Sequence, residues 1–295
     1  MKRMLTLVLA LTMALSLAAC GAAPAAPAEG EDSAPAATAT KYGTSAEGVL
    51  RVGMECAYAP YNWSQSDDSN GAVKIAGTNE YAFGYDVMMA QTIAEKLGLT
   101  LEIVRSDWDG LVTGVQSGTI DCAIAGQSIT ANRAEMVDFT TPYYYATIIT
   151  LVKAGGKYDA AASVADLAGA TCTSQMNTIW YDGCLPQIPE ATIQPAQETA
   201  PAMLVALEAG TCDLVVCDQP TGKAALIAYP DLKLLDFTGN EGEFKVSDED
   251  VNIGISVQKG NTALCTAING VLAEYTPDDY TTMMDAAIAV QPLSK

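Results

Sequence analysis

Residues 106–145 read SDWDGLVTGVQSGTIDCAIAGQSITANRAEMVDFTTPYYY. A turn at 106–109 leads into a short helix, GLVTGVQSG, and then into a strand over 120–124. A glycine turn follows, then a helix start at 130–135 and an extended exit, VDFTTPYYY. Strand alternating with helix is the pattern of an α/β lobe with a mainly parallel sheet, because parallel neighbours need a crossover between them. The same stretch holds Arg133, the last arginine of the chain. It can be a surface cation on the first turns of a helix, or a guanidinium fork that captures a carboxylate.

The rhythm extends in both directions. Upstream, VLRVGM (49–54) is a short β-branched strand that runs into the aromatic loop ECAYAPYNW. Residues 64–80 are polar and punctuated by glycine, a hairpin or surface excursion, and their DDSNG lacks the alternating ligands and closing glutamate of a calcium loop. Residues 85–97 carry helical periodicity through Val87, Met88, Ala90, Ile93, Ala94 and Leu97, and Gly98 ends the helix before the strand LEIVR. Downstream, a strand over 146–152 leaves the lobe and the rhythm restarts: TCTS, a helix start at 178–181, TAPAMLVALEAG, CDLVVCD and TGKAALIAY. A second long strand, VNIGISV (251–257), precedes two helices, 262–274 and 278–289. Two α/β lobes are therefore expected, joined by extended crossings near 145–149 and 251–256. The organisation is 47–145 for the first lobe, 146–252 for the second, and 253–295 returning to the first.

The N-terminal segment is expected to direct export. Lys2 and Arg3 precede an apolar run too short to span a bilayer, which ends in LAAC. That end resembles the lipobox of bacterial lipoproteins, so residues 1–20 read as a signal peptide with Cys20 as the lipidated mature N-terminus. Residues 21–46, rich in Ala and Pro, cannot bury enough apolar surface to fold and read as a tether. No later stretch has the length and apolarity to cross a membrane.

Composition excludes several classes. Removing Lys2 and Arg3 leaves 13 basic against 35 acidic residues, a net charge near −22. Such a surface repels nucleic acid and anionic headgroups. The chain has no histidine, which excludes His-based triads and most catalytic zinc sites. Beyond Cys20, seven cysteines remain, with no CxxC pair. Cys212 and Cys217 read as one strand and lie about 16 Å apart at strand rise, beyond bridging distance. Buried free thiols are the expectation, suited to a reducing or anaerobic habitat, with a Cys172–Cys184 bridge as the alternative.

Taken together, VLRVGMECAYAPYNW, GYDVMMAQTIAEKLG, SDWDGLVTGVQSGTIDCAIAGQSIT and ITANRAEMVDFTTPYYY resemble, in order and spacing, the extracellular solute-binding proteins of family 3 of ABC importers. DLAGATCTSQMNT, EAGTCDLVVCDQP and IGISVQKGN fit less closely. The resemblance implies a type II periplasmic-binding-protein fold. It also implies capture of a polar amino acid between two lobes, delivery to a membrane permease, no cofactor or metal, and a monomer anchored at the membrane facing the extracellular side or periplasm.

Physical chemistry points the same way. A buried amino acid needs donors for its carboxylate and an anion for its ammonium. Arg133 can grip a carboxylate bidentately. By resemblance, Ser128 adds N–H and hydroxyl donors, the Gly126 carbonyl faces the ammonium, and Asn177 and Thr178 supply carboxylate contacts from the second lobe. Met176 stands where the family usually has glycine. Asp218 takes the ammonium by resemblance, or it caps the helix that follows it. Tyr58 and Trp108 match stacking positions, and Tyr61 lies close by; the alternative for all three, stronger for Tyr61, is packing as core or lobe rim. Glu55 matches an acidic position that faces a ligand's polar or basic side chain, hinting at arginine, lysine, histidine or glutamine; it can instead bind its own lobe's backbone. The rival functions are a cyclohexadienyl dehydratase-like enzyme using Glu55 or Asp107 as the acid, and an amino-acid sensor without import.

Overall fold

The computed structural model describes residues 40–292; the expectations for residues 1–20, for Cys20 and for residues 21–39 lie outside the described residues. Two five-stranded sheets organise the chain. The first runs in the order Thr100–Arg105, Val49–Met54, Cys122–Ala123, Ser256–Gln258, Val137–Phe139. The second runs Thr192–Ile193, Thr171–Thr173, Leu214–Asp218, Ile148–Lys153, Leu232–Asp236.

Each sheet is mixed rather than mainly parallel. Val49–Met54 pairs in parallel with both of its neighbours, but Ser256–Gln258 is antiparallel to both of its own. In the second sheet Ile148–Lys153 plays the same part, antiparallel to Leu214–Asp218 and Leu232–Asp236. The cause is the crossing. A strand that arrives from the other lobe has no helical crossover to set it parallel, so it enters running backwards.

The crossings themselves pair with each other, Tyr144–Tyr145 running antiparallel to Asn252–Ile253. The strand expected over 146–152 starts only at Ile148, and the one expected over 251–257 is interrupted. Ala146 and Thr147 separate the crossing from Ile148–Lys153, and Gly254 and Ile255 separate Asn252–Ile253 from Ser256–Gln258. Val251 belongs instead to a helical turn, Asp248–Val251, closed by a capping box between Ser247 and Asp250.

The helix Tyr85–Leu97 carries the first lobe's core face. Gly84 starts it at φ 129, and a side chain there would meet the Tyr61 carbonyl oxygen at 2.3 Å, so only glycine fits. Gly98 ends it in the left-handed region, its N–H on the Ala94 and Glu95 carbonyls. The buried face is Tyr85, Asp86, Val87, Met89, Ala90, Ile93 and Ala94; Met89 faces the core and Met88 is only half-buried.

The helix Thr262–Leu272 packs on Tyr85–Leu97, whereas Pro277–Val290 lies against both Tyr85–Leu97 and the second lobe's Gln219–Ala228. The chain's return is thus shared between lobes, and Gln291 Nε2 donates to the Ala224 carbonyl at 3.1 Å. At the other end, the stretch assigned to the tether is already attached by residue 40. Ser45 N–H donates to Asp121, Asn261 donates to the Gly43 carbonyl, and Thr44 is buried. Cys56, Cys122, Cys172, Cys184, Cys212, Cys217 and Cys265 are free thiols, so the Cys172–Cys184 bridge is not formed. Cys212 precedes the strand Leu214–Asp218 instead of lying on it.

Candidate ligand site between the lobes

The turn after Cys122–Ala123 supplies the first lobe's wall. Gly126 sits at φ 63, and a side chain would meet the Tyr58 ring at 2.8 Å. Its N–H donates to the Tyr143 hydroxyl at 3.1 Å. Ser128 is buried, and its carbonyl accepts from Arg133 Nη1 at 2.9 Å. Thr130 caps the helix Ala131–Met136, its hydroxyl accepting from the Arg133 N–H at 3.4 Å. That cap places Arg133 on the inner side of the helix, its guanidinium 5.0 Å over the Trp108 ring. Nη2 reaches across to the Asn177 carbonyl at 2.8 Å. Burial lowers the guanidinium to about 10, with Asp182 opposing, so it stays cationic at neutral pH.

The aromatic loop supplies the floor. Tyr58 stacks on Tyr61 with centroids 4.7 Å apart, and its hydroxyl donates to Asp218 Oδ2 at 2.5 Å. Glu55 is buried; Oε1 accepts from Gln175 Nε2 at 3.2 Å, and Oε2 has no partner among the described residues. Burial pushes its carboxyl up to about 7, and Asp86, Asp107 and Asp109 push the same way. The Tyr61 hydroxyl is also buried without a partner among the described residues.

From the second lobe, Asp218 ends Leu214–Asp218 and caps Gln219–Ala228. Oδ1 accepts from the Thr221 N–H and Oδ2 from the Thr221 hydroxyl, both at 2.9 Å, so the capping geometry and the contact with Tyr58 coexist on one carboxyl. Burial raises its pKa. Thr178 is buried, its hydroxyl donating to the Gln175 carbonyl at 2.7 Å. Asn177 is exposed at φ 54 and turns its amide to Asp109 Oδ1 at 2.6 Å, so its carbonyl, not its side chain, meets Arg133. Trp108 Nε1 donates to the Met176 carbonyl at 3.0 Å.

These contacts draw the lobes together. Tyr58, Trp108, Gly126, Ser128, Arg133 and Thr178 line one cavity with Gln175 and Trp180, closed down to about 10 Å³. Glu55 reaches its lining through Gln175 and Asp218 through Tyr58, while Asn177 is not part of the lining. A more open groove of about 670 Å³ lies on the outer side of Arg133, past Asn132, Asn177 and Lys245. It contains neither Glu55, Tyr58 nor Asp218; Tyr58 lines the smaller cavity, and Glu55 and Asp218 bond to residues that line it. Sequence reasoning missed Gln175 and Trp180. A glutamine between a strand end and a helix start was the available signal, since such ends face an α/β cleft.

The profile of the bacterial extracellular solute-binding proteins, family 3, matches residues 50–286. The chain is 30% identical to a probable histidine-binding protein of Campylobacter jejuni over 62% of this chain and 65% of that one. It is 29% identical to the L-cystine-binding protein TcyJ of Escherichia coli over 78% of this chain and 79% of that one. In three dimensions it is similar to an amino acid ABC transporter substrate-binding protein from Streptococcus pneumoniae bound to L-arginine. That match has a TM-score of 0.71 and 26% identity, covering 83% of this chain and 95% of that one.

Proposed function

Because the chain belongs to the bacterial extracellular solute-binding proteins of family 3, we propose that it captures a free amino acid with a cationic side chain between its lobes and delivers it to an ABC permease. The observation that carries the side-chain assignment is the unpartnered Oε2 of buried Glu55. A zwitterion brings one charge of each sign. Arg133 takes its carboxylate, exchanging the bond to the Asn177 carbonyl for a charge-assisted one, and Ser128 and Thr178 flank it. Asp218 takes the ammonium, with the Tyr58 hydroxyl as its present partner moving aside or sharing the carboxylate. Glu55 then remains, a carboxylate whose burial is unfavourable until a cation meets it. A guanidinium or ammonium on the ligand's side chain does so, and the Trp108 and Tyr58 rings suit its aliphatic stem. The relative named for histidine and the structure holding L-arginine support this choice.

Entry requires the lobes to part, since the cavity is closed to less than an amino acid's size. The crossings 144–145 and 252–253 are the places where the chain can bend. Lipidation at Cys20 and a tether would hold the protein at the outer face of the membrane, within reach of the permease. Native mass spectrometry of protein purified without refolding tests the reading. A one-to-one adduct of the mass of a basic amino acid is expected. An adduct of another class, or no uptake of any amino acid on addition, refutes it.

A further inference from the structure

Behind the first lobe's wall lies a buried chain of hydrogen bonds that ligand binding does not use. The Cys56 N–H donates to Asn62 Oδ1 at 2.7 Å, and Asn62 Nδ2 donates to Asp86 Oδ2 at 2.8 Å. From the other side, the Gly126 N–H donates to the Tyr143 hydroxyl at 3.1 Å, which donates to Asp86 Oδ1 at 2.6 Å. Asp86 is fully buried and forms no ion pair among the described residues. The two terminal amides belong to residues held in the left-handed region, Cys56 at φ 55 and Gly126 at φ 63. Cys56 follows Glu55, and Gly126 opens the turn that carries Ser128 and Arg133.

The direction of every bond is dictated. A backbone N–H can only donate, so Asn62 must present its oxygen to Cys56 and its amide to Asp86. Likewise the Tyr143 oxygen must accept from Gly126, which turns its hydrogen toward Asp86. Donors thus converge on position 86 from both ends, and only a group that accepts at both oxygens terminates both. An ionised carboxylate does; an amide or a protonated carboxyl puts a donor on one side, where it either turns Asn62 round and strands the Cys56 N–H, or crowds the Tyr143 oxygen and leaves that hydroxyl's hydrogen without an acceptor.

We infer that Asp86 is a positioning residue, the double acceptor that orients Asn62 and Tyr143 and so fixes the two backbone amides from which the first lobe's half of the ligand site is built. The inference rests on that site being the ligand site only for its effect on affinity; the amides themselves can be watched in ligand-free protein. Burial pushes the Asp86 carboxyl up to about 7, against the lowering by the bonds from Tyr143 and Asn62, so the double acceptor is the form present above that pH.

The test compares Asp86→Asn and Tyr143→Phe with the wild type by amide hydrogen exchange without ligand and by titration with L-arginine. Tyr143→Phe is expected to lower protection at Gly126 about tenfold or more while sparing Cys56, one lost hydrogen bond's worth. Asp86→Asn should lower protection at Cys56 about tenfold, or at Gly126 by a smaller factor as the Tyr143 hydroxyl loses its acceptor, and weaken L-arginine binding about tenfold. The double variant should lose no more protection at Gly126 than Tyr143→Phe alone, because both act on one chain of bonds. Wild-type protection at both amides in folded Asp86→Asn overturns the inference, as does unchanged Gly126 protection in Tyr143→Phe should Asp86→Asn fail to fold. Lost protection with unaltered L-arginine affinity also overturns it. If the wild type itself takes up no L-arginine, exchange still decides the network, and the failure counts against the ligand reading alone.

Discussion

The two halves of the site are supported in different ways. In the first lobe, Cys56 and Gly126 are tied through Asn62, Asp86 and Tyr143, partners drawn from segments up to 57 residues apart. In the second, Thr178 bonds to Gln175 and Asp218 to Thr221, each three residues away. In the first half the amides are oriented through buried side chains; in the second the side chains of Thr178 and Asp218 turn to local partners, on a backbone tied over longer range by Ser174 Oγ to the Val216 carbonyl and by the Met176 N–H to the Gln197 carbonyl. Pre-organisation of this kind reduces the ordering that binding must impose. The two halves thus differ in how their polar groups are oriented, through buried side chains in the first lobe and through turns and caps on a sheet-anchored backbone in the second. Between them stands Arg133, rooted in the first lobe and bonded in this closed arrangement to a carbonyl of the second.

Substitutions along this divide sharpen it. The largest effect is expected at Arg133: alanine should weaken L-arginine binding by at least ~100-fold, since a charge-assisted hydrogen bond contributes about 1.5–3 kcal/mol and the stranded carboxylate adds to the loss. Arg133→Lys should recover only part, because an ammonium cannot make the planar fork. Wild-type affinity in folded Arg133→Ala, read by titration calorimetry, removes Arg133 from the site. Next comes Asp218→Asn, which retains a capping side chain but loses the charge. Its affinity should fall about 30-fold, with little change in melting temperature. A large loss of stability with intact affinity would make Asp218 a cap alone.

Glu55→Gln should cost about tenfold for L-arginine and change the pH dependence. In the free protein burial holds Glu55 at about 7, beside Gln175 and near Asp86, Asp107 and Asp109. A cationic side chain needs it ionised, so wild-type affinity should decline as pH drops from 8 to 6, approaching about tenfold per unit below the pKa. The Gln variant should be flatter over that window, and equal slopes would contradict the role. Stability without ligand should move the other way. Glu55 and Asp86, both raised to about 7, contribute stability that is complete below their ordinary carboxyl values and lost as pH rises through 7. Ligand-free protein should then melt lower at pH 8 than at pH 6. The smallest effect is expected for Tyr58→Phe, about threefold in affinity, because the hydroxyl's bond to Asp218 joins the lobes without carrying charge.

What could be read from the sequence follows the same divide in reverse. Local signals were legible: Gly98 and Thr130 mark helix ends, and the alternation of strand and helix yields two α/β lobes. The residue types of the site were legible too, because a fork, a cap and a pair of aromatics are local chemistry. The mixed sheets were not, since strand direction depends on where a crossing enters. Met89 rather than Met88 faces the core because the buried stripe includes Asp86, a polar residue that a hydrophobic period counts as surface. Asn177 has the right type for a carboxylate contact, yet its left-handed backbone turns the amide to Asp109. Asn62, Asp86 and Tyr143 lie in stretches that carry the family resemblance, yet nothing in those stretches shows that the three side chains bond, because the chain exists only after three distant segments meet.

In the reading proposed above, a buried acidic group opposite the carboxylate fork selects a cationic side chain. Calorimetric titration of the wild-type protein with L-arginine and with L-citrulline, its neutral isostere, tests it most directly. The expected result is one-to-one binding of L-arginine at least about tenfold tighter than L-citrulline at pH 8, a gap that narrows in Glu55→Gln. Equal affinities for the two, or binding of neither, would contradict the claim.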